Sequence, residues 1–499
     1  MKQLLGMLLA VVFISGLIHP VSAAADKEDV KDEIMYDIVV DRFNNGDSSL
    51  KGQAELSDPY TYHGGDLQGI IAKLDQLKKY GYTTLVLSPV MANAPKGYHG
   101  YWIEDFYKVD EQFGTMADLQ ELVKEAHDRD MKIVLEFVTN YAADTHPMTD
   151  DPAKHDWYSE SQGDTSFQWQ DHTVTLDQTN SHVRQFLTDV ADYWMDETDI
   201  DGYQFHAADK ANQNFLGDLT AHLQENYPNI YLLGDRLDKT SGDGELTKNT
   251  AIQMTDNPAL MPVMSDVFAA AGKPVTSIYE TWQNNGRQKG LNYLDTPSSE
   301  RFSEKVVNSK RNVLTAWKLA LTYLYTLPGT PMVYQGSEIP MLGEGFPENQ
   351  NLVEWNSADE DLEKFNNRIA SLRSEFPALR HGDYEMVDSN GAMSLFKRSF
   401  EGESLYIAIN NDKESQMIPV SSINQGKQLN GLLGDNLVRA NDDGDFEIVL
   451  PRETAEIYSV ETNTGLNWWF IAPIVGILFI FIAGLIYLKR KEKKREAAD

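Results

Sequence analysis

Four short runs of this chain set polar, chemically competent side chains among apolar neighbours. They are Gly202-Tyr203-Gln204-Phe205-His206, Leu232-Leu233-Gly234-Asp235-Arg236, Glu280-Thr281-Trp282-Gln283 and Glu136-Phe137-Val138-Thr139-Asn140-Tyr141. Asp235 can give and take a proton. The His206 imidazole can attack an electrophilic carbon, but the adduct is cationic and offers no negative charge to a developing cation. Gln283 exchanges hydrogen bonds without carrying charge, and Gln204 lacks the guanidinium fork that orients a carboxylate. The chain has no cysteine, which excludes a disulfide framework, a thiolate metal site and a thiolate nucleophile.

Such groups act together only if regular elements hold them. Apolar, β-branched stretches at 34–40, 83–88, 132–138, 202–206, 230–234, 252–255, 276–279 and 331–334 predict eight strands. Amphipathic patterns over 67–80, 116–129, 181–196, 216–227 and 310–326 predict helices between them. Eight β–α units suit an α/β fold of the (β/α)8 TIM-barrel type, though periodicity alone leaves a doubly wound sheet open. A polar piece at about 141–173 reads as an inserted loop or small B domain. Short strands at 394–397, 405–409, 446–450 and 456–460 predict a C-terminal all-β domain.

The 499-residue chain is 41% hydrophobic and carries a formal net charge of −33, which argues against a nucleic-acid partner. Met1-Lys2, an apolar run over 4–18 and the small residues Val21-Ser22-Ala23 have the layout of a signal peptide at 1–23. Near the other end, Trp468-Trp469-Phe470 leads into an uncharged run followed by Lys489-Arg490-Lys491 and Lys493, Lys494 and Arg495. About twenty such residues span a bilayer core, and basic flanks stay cytoplasmic. The expected organisation is a barrel at 24–378, a β domain at 379–462, a transmembrane helix at 468–488 and a basic cytoplasmic tail at 489–499. The protein is thus expected at the cell membrane as a single-pass protein with an extracytoplasmic body.

Several motifs, in order, resemble the α-amylase family of glycoside hydrolases. Val40-Asp41-Arg42-Phe43-Asn44-Asn45-Gly46-Asp47 is similar to the family's first strand end. Tyr62-His63-Gly64-Gly65-Asp66-Leu67 follows, as in neopullulanases and cyclodextrin glucanotransferases. Gly97-Tyr98-His99-Gly100-Tyr101-Trp102 and Pro328-Gly329-Thr330-Pro331-Met332-Val333-Tyr334-Gln335-Gly336 also match. The resemblance implies the barrel with a β-sandwich C-terminal domain, and retaining chemistry at α-glucosidic bonds by two carboxyl groups about 5 Å apart. In register with the family, the nucleophile position falls on His206, the acid/base position on Asp235, the third carboxylate on Gln283 and the steering Arg on Gln204. The family's strand-three Asp falls on Glu136 and its following His on Tyr141. His99, Tyr101 and Trp102 match positions lining the first sugar subsite, and Trp282 replaces a subsite His there.

No cofactor is required by this reading, and Ca2+ is the ion the resemblance brings to mind. Asn140 matches the family's strand-three calcium ligand, but Thr175 stands where that site has an Asp. A second family site maps onto Asn45, Asp47, Gly64 and Asp66, with Leu50 and Lys51 at its other positions. The terminal segments, the substituted site positions and the resemblance together lead to the expectation of a membrane-anchored protein that is catalytically impaired and binds an α-glucan or other glycan. Two alternatives stand beside it. One is an active α-glucan hydrolase or transferase with a relocated nucleophile such as Glu280, Asp201 or Asp209; the other is an extracellular assembly subunit with a protein partner at the cell surface.

Overall fold

Eight short parallel strands close around a lumen in the computed structural model, which describes residues 29–50, 54–160, 171–237, 246–287, 289–463 and 468–496. The expected signal peptide lies outside the described residues. The barrel strands are β1 (Met35–Ile38), β2 (Thr84–Leu87), β3 (Lys132–Phe137), β4 (Gly202–Phe205), β5 (Tyr231–Gly234), β6 (Met254–Thr255), β7 (Leu291–Asn292) and β8 (Thr330–Tyr334). Neighbours pair in sequence order, β8 returns to β1, and a parallel bridge from Asp256 to Leu291 closes the ring between β6 and β7. The doubly wound alternative is thereby set aside, because an open sheet would leave two free edges.

Period-two alternation explains how this ring presents chemistry. Met35, Val86, Val134, Tyr231, Leu233, Met254, Leu291 and Met332, one or two from each contributing strand, form a buried apolar layer of their own. One step further along the same faces come Asp37, Glu136, His206, Asp235 and Asp256. The outer faces pack against helices such as Met116–His127, Ser181–Thr198, Gln213–Asn226 and Val313–Thr326. The helix Met116–His127 starts at a capping box, in which the Thr115 hydroxyl accepts from the Asp118 N–H while the Asp118 carboxylate accepts from Thr115.

One expected strand is wrong, and the error matters for the site. Residues 276–279 begin the α-helix Thr276–Asn284. Its buried positions Val275, Ile278 and Trp282 recur at three- and four-residue steps, the period of a helix face rather than of a strand. The seventh strand is the two-residue Leu291–Asn292, too short to leave an apolar run in the sequence.

After β3, Tyr141–Ala143, Tyr158–Glu160 and Thr173–Leu176 make a small antiparallel sheet over the barrel mouth. The C-terminal β strands are β9 (Asp383–Asn390), β10 (Met393–Phe400), β11 (Glu403–Asn410), β12 (Gln416–Val420), β13 (Lys427–Gly431), β14 (Leu437–Arg439), β15 (Phe446–Leu450) and β16 (Thr454–Thr462). They form a six-stranded sheet in the order β9-β10-β11-β16-β13-β14, with β12 and β15 paired separately. Under the barrel floor Arg373 is fully buried without a carboxylate partner among the described residues. Its guanidinium donates to the carbonyls of Lys31, Tyr325, Gly329 and Leu379. Beyond the β domain, Trp468–Glu496 is one helix, and its segment Ala472–Arg490 is long and apolar enough to cross a membrane, with mean hydropathy 2.2.

Candidate active site at the barrel mouth

Strand ends β3, β4 and β5 bring Glu136, His206 and Asp235 to one point. His206 Nδ1 lies 2.7 Å from Glu136 Oε1 and 3.1 Å from Asp235 Oδ2, and the three donor atoms all fall within 4.8 Å of one another. Backbone conformation helps hold this geometry. Ala207 takes a left-handed φ of 50°, uncommon outside glycine, and its N–H donates to Asp235 Oδ1. Tyr101 Oη donates to the Glu136 carboxylate at 3.1 Å, and its ring lies against His206 with centroids 4.5 Å apart and planes tilted by 30°.

Burial alone would depress the His206 imidazole, but Asp235 and Glu136 outweigh it and raise the group to about 10. His206 is therefore an imidazolium at neutral pH, clamped between two carboxylates. The lumen around it is crowded with acids. Asp37 is driven well above the usual carboxylate range by burial and by Glu136 and Asp235. Asp256 is lifted to about 7 by burial and by Asp235, while it accepts from Arg236 Nε at 3.2 Å and Tyr293 Oη at 2.9 Å. Gln204, in register with Glu136 across the β3–β4 pair, brings no positive charge, and its buried Oε1 has no partner among the described residues.

His99, Tyr101 and Trp102 do gather at the mouth, as expected. Tyr101 stacks on His99 at 5.2 Å and 21°, and Trp102 meets His99 edge-on at 4.8 Å. Burial and the nearby Arg42 and His206 hold His99 down to about 3, so it is neutral, and its Nδ1 accepts from the Tyr101 N–H at 3.0 Å. Trp102 keeps part of its surface open, whereas both imidazoles engage Tyr101.

Gln283 and Trp282 do not reach this mouth. Both lie on the helix Thr276–Asn284, where Trp282 packs edge-on against Tyr384 of β9 at 5.2 Å and Gln283 is solvent-exposed. The helical period of that segment displaces the assignment. With β7 at Leu291–Asn292, the first carboxylate after the strand end is Asp295. Asp295 is buried and turned away, accepting from Ser337 Oγ at 2.8 Å and from the Phe302 N–H at 3.2 Å. The relocated nucleophiles fare no better. Glu280 is exposed on the same helix, Asp201 binds His127 and the Ile133 N–H at the foot of β4, and Asp209 caps the Leu237 N–H.

Neither family calcium site fits the residues present. Asn140 Oδ1 and the Thr139 carbonyl, where the ion would bridge, accept from the Gln178 side-chain amide at 2.9 and 2.7 Å. Gln178 Oε1 accepts in turn from the Asn212 N–H at 2.6 Å, so one amide ties the insert to the ends of β3 and β4. At the second site, Asp66 accepts from the N–H groups of Gly46, Asp47 and Gly69, Asn45 donates to the Gly64 carbonyl at 2.6 Å, and Asp47 is held by Ser49. Donor hydrogens fill the lone pairs a cation would need.

Asp37, Asp256 and Gln178 are residues of the mouth that sequence reasoning missed. The one signal for Asp37 was an acidic residue inside an otherwise apolar strand.

Comparison with known proteins agrees with this geometry. Residues 37–382 match the alpha amylase catalytic domain and residues 382–458 the alpha-amylase C-terminal domain. The chain is similar to a cyclomaltodextrinase of Thermoanaerobacter pseudethanolicus, at 26% identity over 428 residues, covering 80% of this chain and 73% of that protein. The crystal structure of an Anoxybacillus alpha-amylase superposes with TM-score 0.83 at 38% identity, covering 88% of this chain and all of that one. An alpha-amylase from Geobacillus thermoleovorans, solved with acarbose, superposes with TM-score 0.81 at 36% identity over 88% of this chain and 100% of that one.

Proposed function

The chain belongs to the α-amylase family, and from that membership we propose that it is a membrane-tethered α-glucan-binding protein that has lost the family's double displacement. One observation carries the reading. The nucleophile position holds an imidazolium, His206, whose Nδ1 is engaged by Glu136 and Asp235. A cation cannot attack an anomeric carbon, and it repels the oxocarbenium-like charge that the family's nucleophile stabilises. Support for glycan recognition comes from the retained His99, Tyr101 and Trp102 and from relatives named as cyclomaltodextrinase and as an amylase bound to acarbose. The apolar helix with its basic exit supports tethering, with the body outside the cell.

A second reading, residual hydrolysis, has one observation in its favour. Glu136 and Asp235 present carboxyl oxygens no more than 4.8 Å apart, near the separation of a retaining pair. The deciding experiment incubates a secreted form ending at residue 463 with maltooligosaccharides, pullulan and cyclodextrins, and titrates the same sugars calorimetrically. Saturable binding without turnover, weakened about tenfold in Trp102→Ala, is the expected result. Turnover lost in both Glu136→Gln and Asp235→Asn would establish the second reading instead. Absence of both binding and turnover would leave a protein partner as the ligand of the body.

A further inference from the structure

Three substitutions that look independent in the sequence converge on one atom. Relative to the family, the acid on β3 is one methylene longer as Glu136, the acid on β5 is one methylene shorter as Asp235, and the group between them is an imidazole. The lengthening and the shortening let both carboxylates reach His206 Nδ1, at 2.7 and 3.1 Å. Among the described residues this is the one place where three side chains of metal-binding type meet.

We propose that Glu136, His206 and Asp235 form a binding site for one divalent transition-metal ion, of the class to which Zn2+ belongs. Imidazole nitrogen and carboxylate oxygen bind such an ion at about 2.0–2.2 Å, which sets donor atoms about 3.0–3.4 Å apart. The two Nδ1–oxygen pairs need to move only a few tenths of an ångström to reach that spacing, the two carboxylate oxygens, no more than 4.8 Å apart, draw together by up to about 1.4 Å, and the ion takes the place of the proton that Nδ1 now shares with them. The carboxylates are already aimed. Tyr101 Oη fixes Glu136, and the Ala207 N–H fixes Asp235 by its other oxygen, which is the outer support that metal ligands require.

A second, independent observation points to a cation at the same place. Gln204 Oε1 is a buried carbonyl-type oxygen with no partner among the described residues, in register beside Glu136 on the strand that carries His206. Asp235, a quarter exposed, opens the site to solvent. Neither the amide clasp at Asn140 nor the loop at Asp66 competes, because their oxygens are taken. The site stands whether or not the mouth binds sugar.

The test uses the whole chain in detergent, without any added histidine tag, stripped with a chelator and then titrated with Zn2+ alone. One ion per chain is expected, with the affinity reduced about 100-fold or more in each of His206→Gln, Glu136→Gln and Asp235→Asn. Unchanged stoichiometry and affinity in these variants would assign any binding to the surface and overturn the proposal, as would no binding at micromolar Zn2+. If His206→Gln fails to fold, Co2+ in the wild-type chain decides. A visible band of nitrogen-ligated Co2+ that disappears in folded Asp235→Asn supports the site, and a featureless spectrum refutes it.

Discussion

Replacing His206 by Gln tests the central electrostatic claim, because it removes the cation while leaving a side chain able to bond one carboxylate. In the folded chain His206 rises from the ordinary 6.5 to about 10, which at about 1.4 kcal/mol per tenfold corresponds to a ceiling of about 5 kcal/mol. The folded state holds the proton more tightly than the unfolded state does. The contribution is therefore complete below pH 6.5 and is lost as pH rises through about 10. Other buried acids act earlier in the titration. Asp256 and Glu338, both raised to about 7 chiefly by burial, lower stability between the usual acid range and neutrality and add nothing above it. Urea titrations of wild type and His206→Gln, at pH values spaced from about 6 to about 10, isolate the histidine. The wild-type advantage should shrink by about 2–5 kcal/mol over that span. An advantage constant to within about 0.5 kcal/mol would refute the imidazolium, since a neutral His206 has no proton to lose there.

Other perturbations report on separate parts of the argument. His206→Asp combined with Gln204→Arg restores the family pair, and p-nitrophenyl maltoside hydrolysis should rise about tenfold or more above wild type; His206→Asp alone, adding a fifth acid to the lumen, should be less stable than the double variant. Trp282→Ala should leave sugar affinity unchanged while costing about 3–5 kcal/mol of stability, because Trp282 packs against Tyr384 and not at the mouth. Arg373→Lys should cost about 2 kcal/mol or more in urea unfolding, since one ammonium cannot reach four carbonyls that a planar fork now satisfies.

The strands that carry Glu136, His206 and Asp235 were legible because each is a run of buried apolar residues ending at a polar one. Their register survives in the structure. The seventh strand was not legible, since two residues make no pattern, and Thr276 and Ile278 gave a nearby helix the look of a strand. That single misplacement put the third-carboxylate position on Gln283 and drew Trp282 into a sugar subsite. Asp37 escaped notice for a different reason: alternation tells which residues share a face, not which face lines the lumen. The Gln178 clasp was invisible to local reading, because its partners lie 39, 38 and 34 residues away.

The Gln178 clasp has a kinetic and thermodynamic corollary. A loop fastened by an ion gains stability with the logarithm of that ion's free concentration, so its closure is a second-order event answerable to the surroundings. Here the fastener is part of the polypeptide. The junction between insert and barrel closes as a unimolecular step, with an equilibrium independent of any free ion's concentration.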